Sequence, residues 1–434
     1  MTVNVNADVR PGRRVIGNVL RGSIGNLIEW YDWYAYTAFS LYFAKVFFPA
    51  GDTTAQLLNT AGVFAVGFLM RPIGGWLMGR YADRYGRRAA LTLSVAMMAA
   101  GSLVIALTPG YDSIGVAAPL LLVAARLAQG ISVGGEYATS ATYLSEVATP
   151  GKRGFYSSFQ YVTLTAGQLV ALGVQIILQN TLSSAEMASW GWRIAFVIGA
   201  LGALVVMWLR ATMDESQAFV NQAASGLPAN ERGSLRVLLQ HPRECLLVCG
   251  LTLGGTVAFY TYTTYLQKFM VNTSKIDINA VTWVNFLALL AFVVIQPLAG
   301  ALSDRVGRRP LLLFFGIAGT LLTVPLLSLL AGARTPALAF LIMLGSLVIV
   351  TGYTSINAIV KAELFPTNVR AMGVGLPYAL TVAIFGGTAE YIALWLKQAG
   401  HESVFFYYVA GCVLVSLVVY ATMRETTKES ALDD

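Results

Sequence analysis

The sequence predicts an all-α polytopic membrane protein, with twelve transmembrane helices in two pseudo-symmetric six-helix bundles. Three observations predict it. Of the 434 residues, 56% are hydrophobic and only 12% charged, with a mean hydropathy of +0.64, whereas soluble domains are roughly one-quarter charged. Apolar stretches of about 20 to 25 residues recur along the whole chain, each long enough to cross about 30 Å of hydrocarbon. A Gly-Asp-Arg-Gly-Arg-Arg loop signature occurs twice, half a chain apart.

The apolar stretches span residues 18–44, 55–79, 89–107, 117–143, 155–180, 192–210, 244–268, 281–301, 311–331, 336–360, 372–397 and 402–423. In lipid each backbone polar group must be satisfied internally, and segments this long and evenly apolar do so as helices, not as barrel strands. The longest polar interval, Ala211 to Gln240, carries Asp214, Glu215, Gly226, Pro228, Glu231 and Arg232 and parts the spans six and six. The expected organisation is therefore a bundle over 1–210, a cytoplasmic linker over 211–243 and a second bundle over 244–434.

A net charge of +7 raises nucleic acid as a partner, and the placement of the cations argues against it. Arg10, Arg13 and Arg14 before the first span, Arg21 at its start, and most of the remainder in every second loop, lie on one side; Lys45, Arg193, Lys268, Lys275, Arg334 and Lys397 are the few on the other. This is the positive-inside pattern, which puts both termini in the cytoplasm and makes the lipid bilayer the partner. A monomer is expected. His241, Cys245 and Cys249 share a helix face, but three such residues at a helix start are ordinary, and no metal is expected.

Between spans two and three lies Gly79-Arg80-Tyr81-Ala82-Asp83-Arg84-Tyr85-Gly86-Arg87-Arg88, and between spans eight and nine Gly300-Ala301-Leu302-Ser303-Asp304-Arg305-Val306-Gly307-Arg308-Arg309. Glu146 precedes Arg153 as Glu363 precedes Arg370 after spans four and ten. The positive-inside rule alone requires neither the aspartates nor the glycines. Glycines allow a tight turn, and an Asp there can face basic side chains or a helix N-terminus. Gly79, Asp83, Arg84, Gly86, Arg87, Arg88, Glu146 and Arg153, with Gly300, Asp304, Arg305, Gly307, Arg308, Arg309, Glu363 and Arg370, are accordingly read as a conformational latch.

This loop, in both halves of a six-plus-six chain, resembles the major facilitator superfamily. Asn26 with Glu29-Trp30-Tyr31-Asp32, Arg71-Pro72-Ile73-Gly74-Gly75, Gln129-Gly130 with Gly134-Gly135-Glu136-Tyr137, and Trp190-Gly191-Trp192-Arg193 are similar to its metabolite:proton symporter branch. Ser158 to Leu164, Tyr265-Leu266-Gln267-Lys268 and Phe385-Gly386-Gly387 through Glu390-Tyr391 are most similar to the α-ketoglutarate carriers of that branch. Tyr31 and Trp33 depart from it, since phenylalanine is expected at both. The resemblance implies a secondary active transporter of the bacterial inner membrane, taking up a small carboxylate with protons by alternating access. α-Ketoglutarate is the first substrate it suggests; citrate, shikimate or an osmolyte such as proline or betaine are alternatives, and a transporter-like nutrient sensor is a different class.

Charges at membrane depth cost several kcal/mol unless paired or facing a wet cavity, so each is a functional candidate. Glu29 and Asp32 lie three residues apart on one helix face, and two carboxylates in low dielectric do not both ionise cheaply. They are the first candidates for proton coupling, followed by Glu136 and Glu390. Arg71 and Arg126 are the candidates for substrate binding, because a guanidinium fork matches a carboxylate in two parallel hydrogen bonds; charge balance for the acids is the competing role. Gln160, Tyr161, Gln168 and Tyr260, polar residues within apolar spans, are further substrate-contact candidates, though polar contacts between helices explain them equally. Arg193 reads as an interfacial anchor and Lys268 as a snorkelling lysine. No nucleotide-binding loop, nucleophile constellation or cofactor motif occurs, so neither an ATP-driven pump nor an enzyme is expected, and no cofactor.

Overall fold

The computed structural model describes residues 11–85, 87–134, 151–211, 238–366 and 369–427, with the side chains of 11–26, 79–80, 82–88, 90–91, 209–211 and 371 outside that description. Twelve long helical segments follow the twelve apolar stretches. In the first half they are α1 (Pro11–Phe47), α2 (Thr53–Tyr85), α3 (Arg87–Leu107), α4 (Ala117–Val133), α5 (Arg153–Thr181) and α6 (Trp192–Ala211). In the second half they are α7 (Pro242–Asn272), α8 (Ile278–Val306), α9 (Arg308–Gly332), α10 (Pro336–Glu363), α11 (Arg370–Thr381, resuming at Ala389–Gln398) and α12 (Glu402–Thr422). The expected end of the fourth span, to residue 143, falls outside the described residues.

The packing repeats between the halves. α2 packs on α4 and α3 on α6 in the first half, as α8 packs on α10 and α9 on α12 in the second. The halves meet where α5 runs along α8 and α2 along α11, positions that exchange under the six-helix repeat. Large apolar side chains face outward, among them Trp76, Leu107, Leu120, Trp208, Leu321 and Tyr407, while Asp32, Arg126, Gln129, Gln175 and Gln296 are fully buried. An apolar exterior around a polar interior is the arrangement a bilayer requires.

Local chemistry sets the helix ends. Asp52 accepts the Ala55 N–H at 2.9 Å at the start of α2. Asp277 accepts from Asn279 and Ala280 at the start of α8. Gly307, at φ +96°, ends α8 in a conformation that only glycine adopts without strain. Inside the spans the structure departs from the uniform helices that apolar runs suggest. α7 contains a π-helical turn at Thr261–Tyr265 and α11 another at Val382–Gly386, and α10 breaks at Ser355–Ile356. Such irregularity is tolerated at membrane depth where backbone is buried in protein or lines a polar site.

Candidate functional site

The site starts from the contact of α2 with α4. A Cβ at Gly130 would run into the Gly67 carbonyl, and one at Gly134 into the Arg71 carbonyl. Glycine at these two positions therefore lets the two backbones touch, and small residues are what allow such approach in membranes. The approach brings Arg71 of α2 and Arg126 of α4 to one aromatic wall formed by α1 and by Phe68 of α2. The Arg71 guanidinium lies 3.9 Å from the Phe68 ring centroid, 4.3 Å from Trp33 and 5.2 Å from Trp30. The Arg126 guanidinium lies 4.0 Å from Trp33 and 4.4 Å from Tyr36. Both cations thus rest on Trp33.

Their hydrogen bonding is incomplete in the same way. Arg126 Nη1 donates to Gln129 Oε1 at 2.8 Å, but Nε and Nη2 of both arginines are buried without a hydrogen-bond partner. Nε and Nη2 form one edge of the planar fork, the edge that grips a carboxylate with two parallel N–H bonds. Arg71 is 6% exposed and Arg126 0%, and a buried donor left unmade costs about 1–3 kcal/mol, more for a charged group. Four such donors in one layer can take the oxygens of an anion. Tyr260 of α7 sits beside Arg71, its ring 5.1 Å from Phe68, so the second half closes over the arginines.

Asp32 is held in a cage of neutral donors. Ser102 Oγ of α3 donates to its Oδ1, and Gln129 Nε2 donates to its Oδ2 at 2.5 Å and to Ser102 Oγ at 3.0 Å. Gly199 of α6 leaves no room for a side chain beside Oδ1. Gln129 therefore stands between the acid and Arg126, donating to one and accepting from the other. Sequence reasoning noted Gln129 only as part of a motif. The available signal was its position three residues after Arg126, on the same face of an apolar helix.

The remaining sequence candidates distribute as follows. Glu29 is buried on α1, and Gln160 on α5 is buried too. Tyr161 OH accepts from Asn357 Nδ2 at 3.1 Å, and Gln168 Nε2 donates to the Thr263 carbonyl at 2.6 Å, so both residues join the halves. Glu390 is buried in an ion pair with Lys268 at 2.6 Å, and Lys268 Nζ also meets Thr37 Oγ1 of α1 at 3.2 Å. Lys268 is 1% exposed; it does not snorkel to the surface, because a buried acid and hydroxyl solvate it in place. Lys361, grouped by sequence with the loop cations, is likewise buried, 3.6 Å over the Tyr378 ring. Arg193 stacks on Trp192 and donates to the carbonyls of Ala106 and Thr108, both at 2.7 Å, closing the end of α3. Glu136, Glu146 and Gly86, and the side chains at Gly79, Asp83, Arg84, Arg87 and Arg88, lie outside the described residues.

The second copy of the repeated loop is described in full. Asp304 Oδ1 and Oδ2 accept the backbone N–H groups of Gly154 and Phe155 at 2.7 and 2.9 Å, so an acid of the second half caps the N-terminus of α5 in the first. Arg308 bonds Asp304 at 2.9 Å and reaches Glu363 at 3.5 Å, and Thr426 donates to Glu363. Glu425 accepts the N–H groups of Arg308 and Arg309 at the start of α9, at 2.8 and 3.0 Å. Arg309 donates to the Tyr420 and Ala421 carbonyls, and Arg370 to that of Phe365. Arg153 opens α5 beside these groups, and Gly300 packs against Gly154. Arg305 is exposed. On the opposite side of the arginine layer Gln179 bonds Tyr42 and Thr282, and Asn272 bonds Thr54. Polar contacts thus tie the halves together on both sides of the layer.

A family profile described as sugar (and other) transporter matches residues 19–231 and 240–432. The chain is 53% identical over 416 residues to the alpha-ketoglutarate permease of Escherichia coli (strain K12), covering 96% of this chain and 95% of that protein. It is 34% identical over 391 residues to the citrate-proton symporter of Salmonella typhi, covering 89% of each. In fold it is similar to the xylose transporter XylE of E. coli in a partially occluded inward-open conformation, with a TM-score of 0.74 at 18% identity over 94% of this chain and 97% of that one.

Proposed function

Because the chain belongs to the sugar (and other) transporter family, within the major facilitator superfamily, we propose that it imports a small dicarboxylate, α-ketoglutarate foremost, together with protons across a bacterial inner membrane. The observation that carries this reading is the pair of buried arginines on Trp33, each with its Nε and Nη2 donors unpartnered. A zwitterionic osmolyte brings a cation of its own to these arginines and an apolar one offers them no acceptor, whereas a carboxylate of a dianion matches their open forks in charge and geometry. The permease it resembles at 53% identity is named for α-ketoglutarate, which supports the same choice.

In this account Arg71 and Arg126 receive the substrate, and Tyr260, Gln160, Tyr161 and Gln168 border it from α5 and α7. Asp32 carries a proton, with Glu29 and Glu136 the further candidates. Loss of its charge weakens the bond from Gln129, and Gln129 in turn orients Arg126, so protonation and substrate binding share one network. The six-helix halves, 1–210 and 244–434, rock about this layer, and the Asp83 and Asp304 loops latch the cytoplasmic side. Both termini lie in the cytoplasm, as the cation distribution directs. Thermal stabilisation of the purified protein by α-ketoglutarate but not by betaine is the expected result, since a ligand that binds only the native state raises its stability. Stabilisation by betaine alone would overturn the dicarboxylate reading in favour of an osmolyte carrier.

A further inference from the structure

Lys268 and Glu390 form an ion pair that the account above leaves unused, although both are fully buried at membrane depth. Its position is informative. Arg126 lies nine residues into α4, Thr37 ten before the end of α1 and Glu390 eight before the end of α11. At 1.5 Å per residue these are all about 12–15 Å from the same end of the bundle. Tyr36 rests on Arg126 at 4.4 Å, and the next residue, Thr37, accepts from Lys268. Tyr36 is also within electrostatic reach of Glu390, so the Lys268–Glu390 pair stands beside the residue on which Arg126 rests.

The charges are also suggestive. Among the described residues the buried acids around this layer are Glu29, Asp32 and Glu390, and the buried cations are Arg71, Arg126 and Lys268, with Lys361 beside Tyr378 on its border. A dianion moved inward against an interior-negative potential needs two protons to carry no net charge. Asp32 accounts for one. Glu390 is suited to the other, because its Oε1 holds Lys268 while its Oε2 is buried without a hydrogen-bond partner.

Building on the dicarboxylate reading, we infer that Lys268 is a second carboxylate-binding site, on the C-terminal half, whose resident ligand Glu390 gives way to one substrate carboxylate and leaves as the neutral acid. The exchange balances. The Lys268–Glu390 contact breaks, a Lys268–substrate contact forms, and one proton moves onto Glu390. The loaded carrier then holds the dianion, protonated Asp32 and protonated Glu390, and moves no net charge. The ionisable groups around Glu390 are Lys268 and Tyr265 from α7 and Tyr36 from α1, with Glu402 of α12 also near Tyr265. Lys268 is thus the only cation among the described residues in contact with Glu390, and any carboxylate that binds Lys268 competes with it directly.

The test uses the full-length protein in liposomes, with α-ketoglutarate as the probe and the proton-to-substrate ratio read from the pH gradient that just halts net flux against a fixed substrate gradient at zero membrane potential. The parent is expected to move two protons per dianion. Glu390→Gln is expected to move one, and to bind α-ketoglutarate several-fold more tightly at neutral pH because Lys268 has lost its competitor. A Lys268→Met/Glu390→Gln pair, which buries no unpaired charge, keeps the test open if the single variant fails to fold; it should move one proton and bind α-ketoglutarate at least about tenfold more weakly, the loss of one charged contact. A ratio of two in either variant, or parental affinity in the double variant, would overturn the inference. Failure of the parent to bind α-ketoglutarate would instead overturn the dicarboxylate reading, and this inference with it.

Discussion

Replacing Arg71 by lysine keeps the charge and removes the fork. In the structure the guanidinium carbon lies 3.9 and 4.3 Å from the Phe68 and Trp33 ring centroids, and its buried Nε and Nη2 donors have no hydrogen-bond partner. A lysine ammonium offers a point charge on a flexible stem and cannot give two parallel bonds from one plane. The loss corresponds to about one charged hydrogen bond, about 1.5–3 kcal/mol, with the weaker ring contact adding to it. Arg71→Lys should therefore raise the Kd for α-ketoglutarate by roughly 10- to 150-fold. Equilibrium binding of labelled α-ketoglutarate to purified protein measures this, with the unliganded melting temperature as a check on folding. An affinity within about twofold of the parent, in a variant that melts normally, would refute the reasoning and make Arg71 a partner of the buried acids instead.

Three further outcomes follow from the same geometry. Asp304→Asn weakens the cap on Gly154 and Phe155, and should slow counterflow by about tenfold or more while changing the Kd for α-ketoglutarate by less than about threefold, because it acts on the balance of states. Gln129→Leu leaves Asp32 and Arg126 each short of a partner; it should cost about 1–3 kcal/mol of stability and flatten the pH dependence of substrate affinity, whereas a purely structural glutamine would leave that pH profile in place. At Glu425 burial pushes the carboxyl up, but the N–H groups of Arg308, Arg309 and Thr427 outweigh it and hold the carboxyl below its ordinary value. Its contribution is thus present above the ordinary glutamate range and lost as the pH falls through the lowered folded value. Glu425→Gln should lower the melting temperature at neutral pH by a margin that closes in acid, and the effect is modest, about 0.5–1 kcal/mol, because the group is partly exposed.

Much of the fold was legible because each membrane span must be continuous, apolar and about 20 residues long, a requirement that leaves a plain trace in sequence. The repeated loop was legible for the same kind of reason: Asp304 recurs at a fixed offset from two glycines and two arginines, and the structure gives it a helix N-terminus to cap. Lys268 was misread because proximity to a helix end suggests snorkelling, and only the arrival of Glu390 from a helix 122 residues away shows why it stays inside. Gln129 and Ser102 escaped notice because neutral polar residues are common in apolar spans, and their role exists only once α1, α3 and α4 converge on Asp32. The π-helical turns in α7 and α11 left no trace, since the hydroxyl-rich Thr261–Tyr265 and the apolar Val382–Gly386 share no residue pattern that sets them apart from α-helical turns.

The account turns on Asp32 as the point where protons enter the cycle, and one variant tests it most directly. Asp32→Asn preserves size and polarity in the cage formed by Ser102, Gln129 and Gly199 while fixing the side chain as neutral. In liposomes it should still exchange internal for external α-ketoglutarate, because a permanently neutral group resembles the proton-loaded form. Under an imposed pH gradient it should fail to accumulate the substrate above equilibrium. Accumulation equal to that of the parent would contradict the account and move the obligatory proton site away from Asp32.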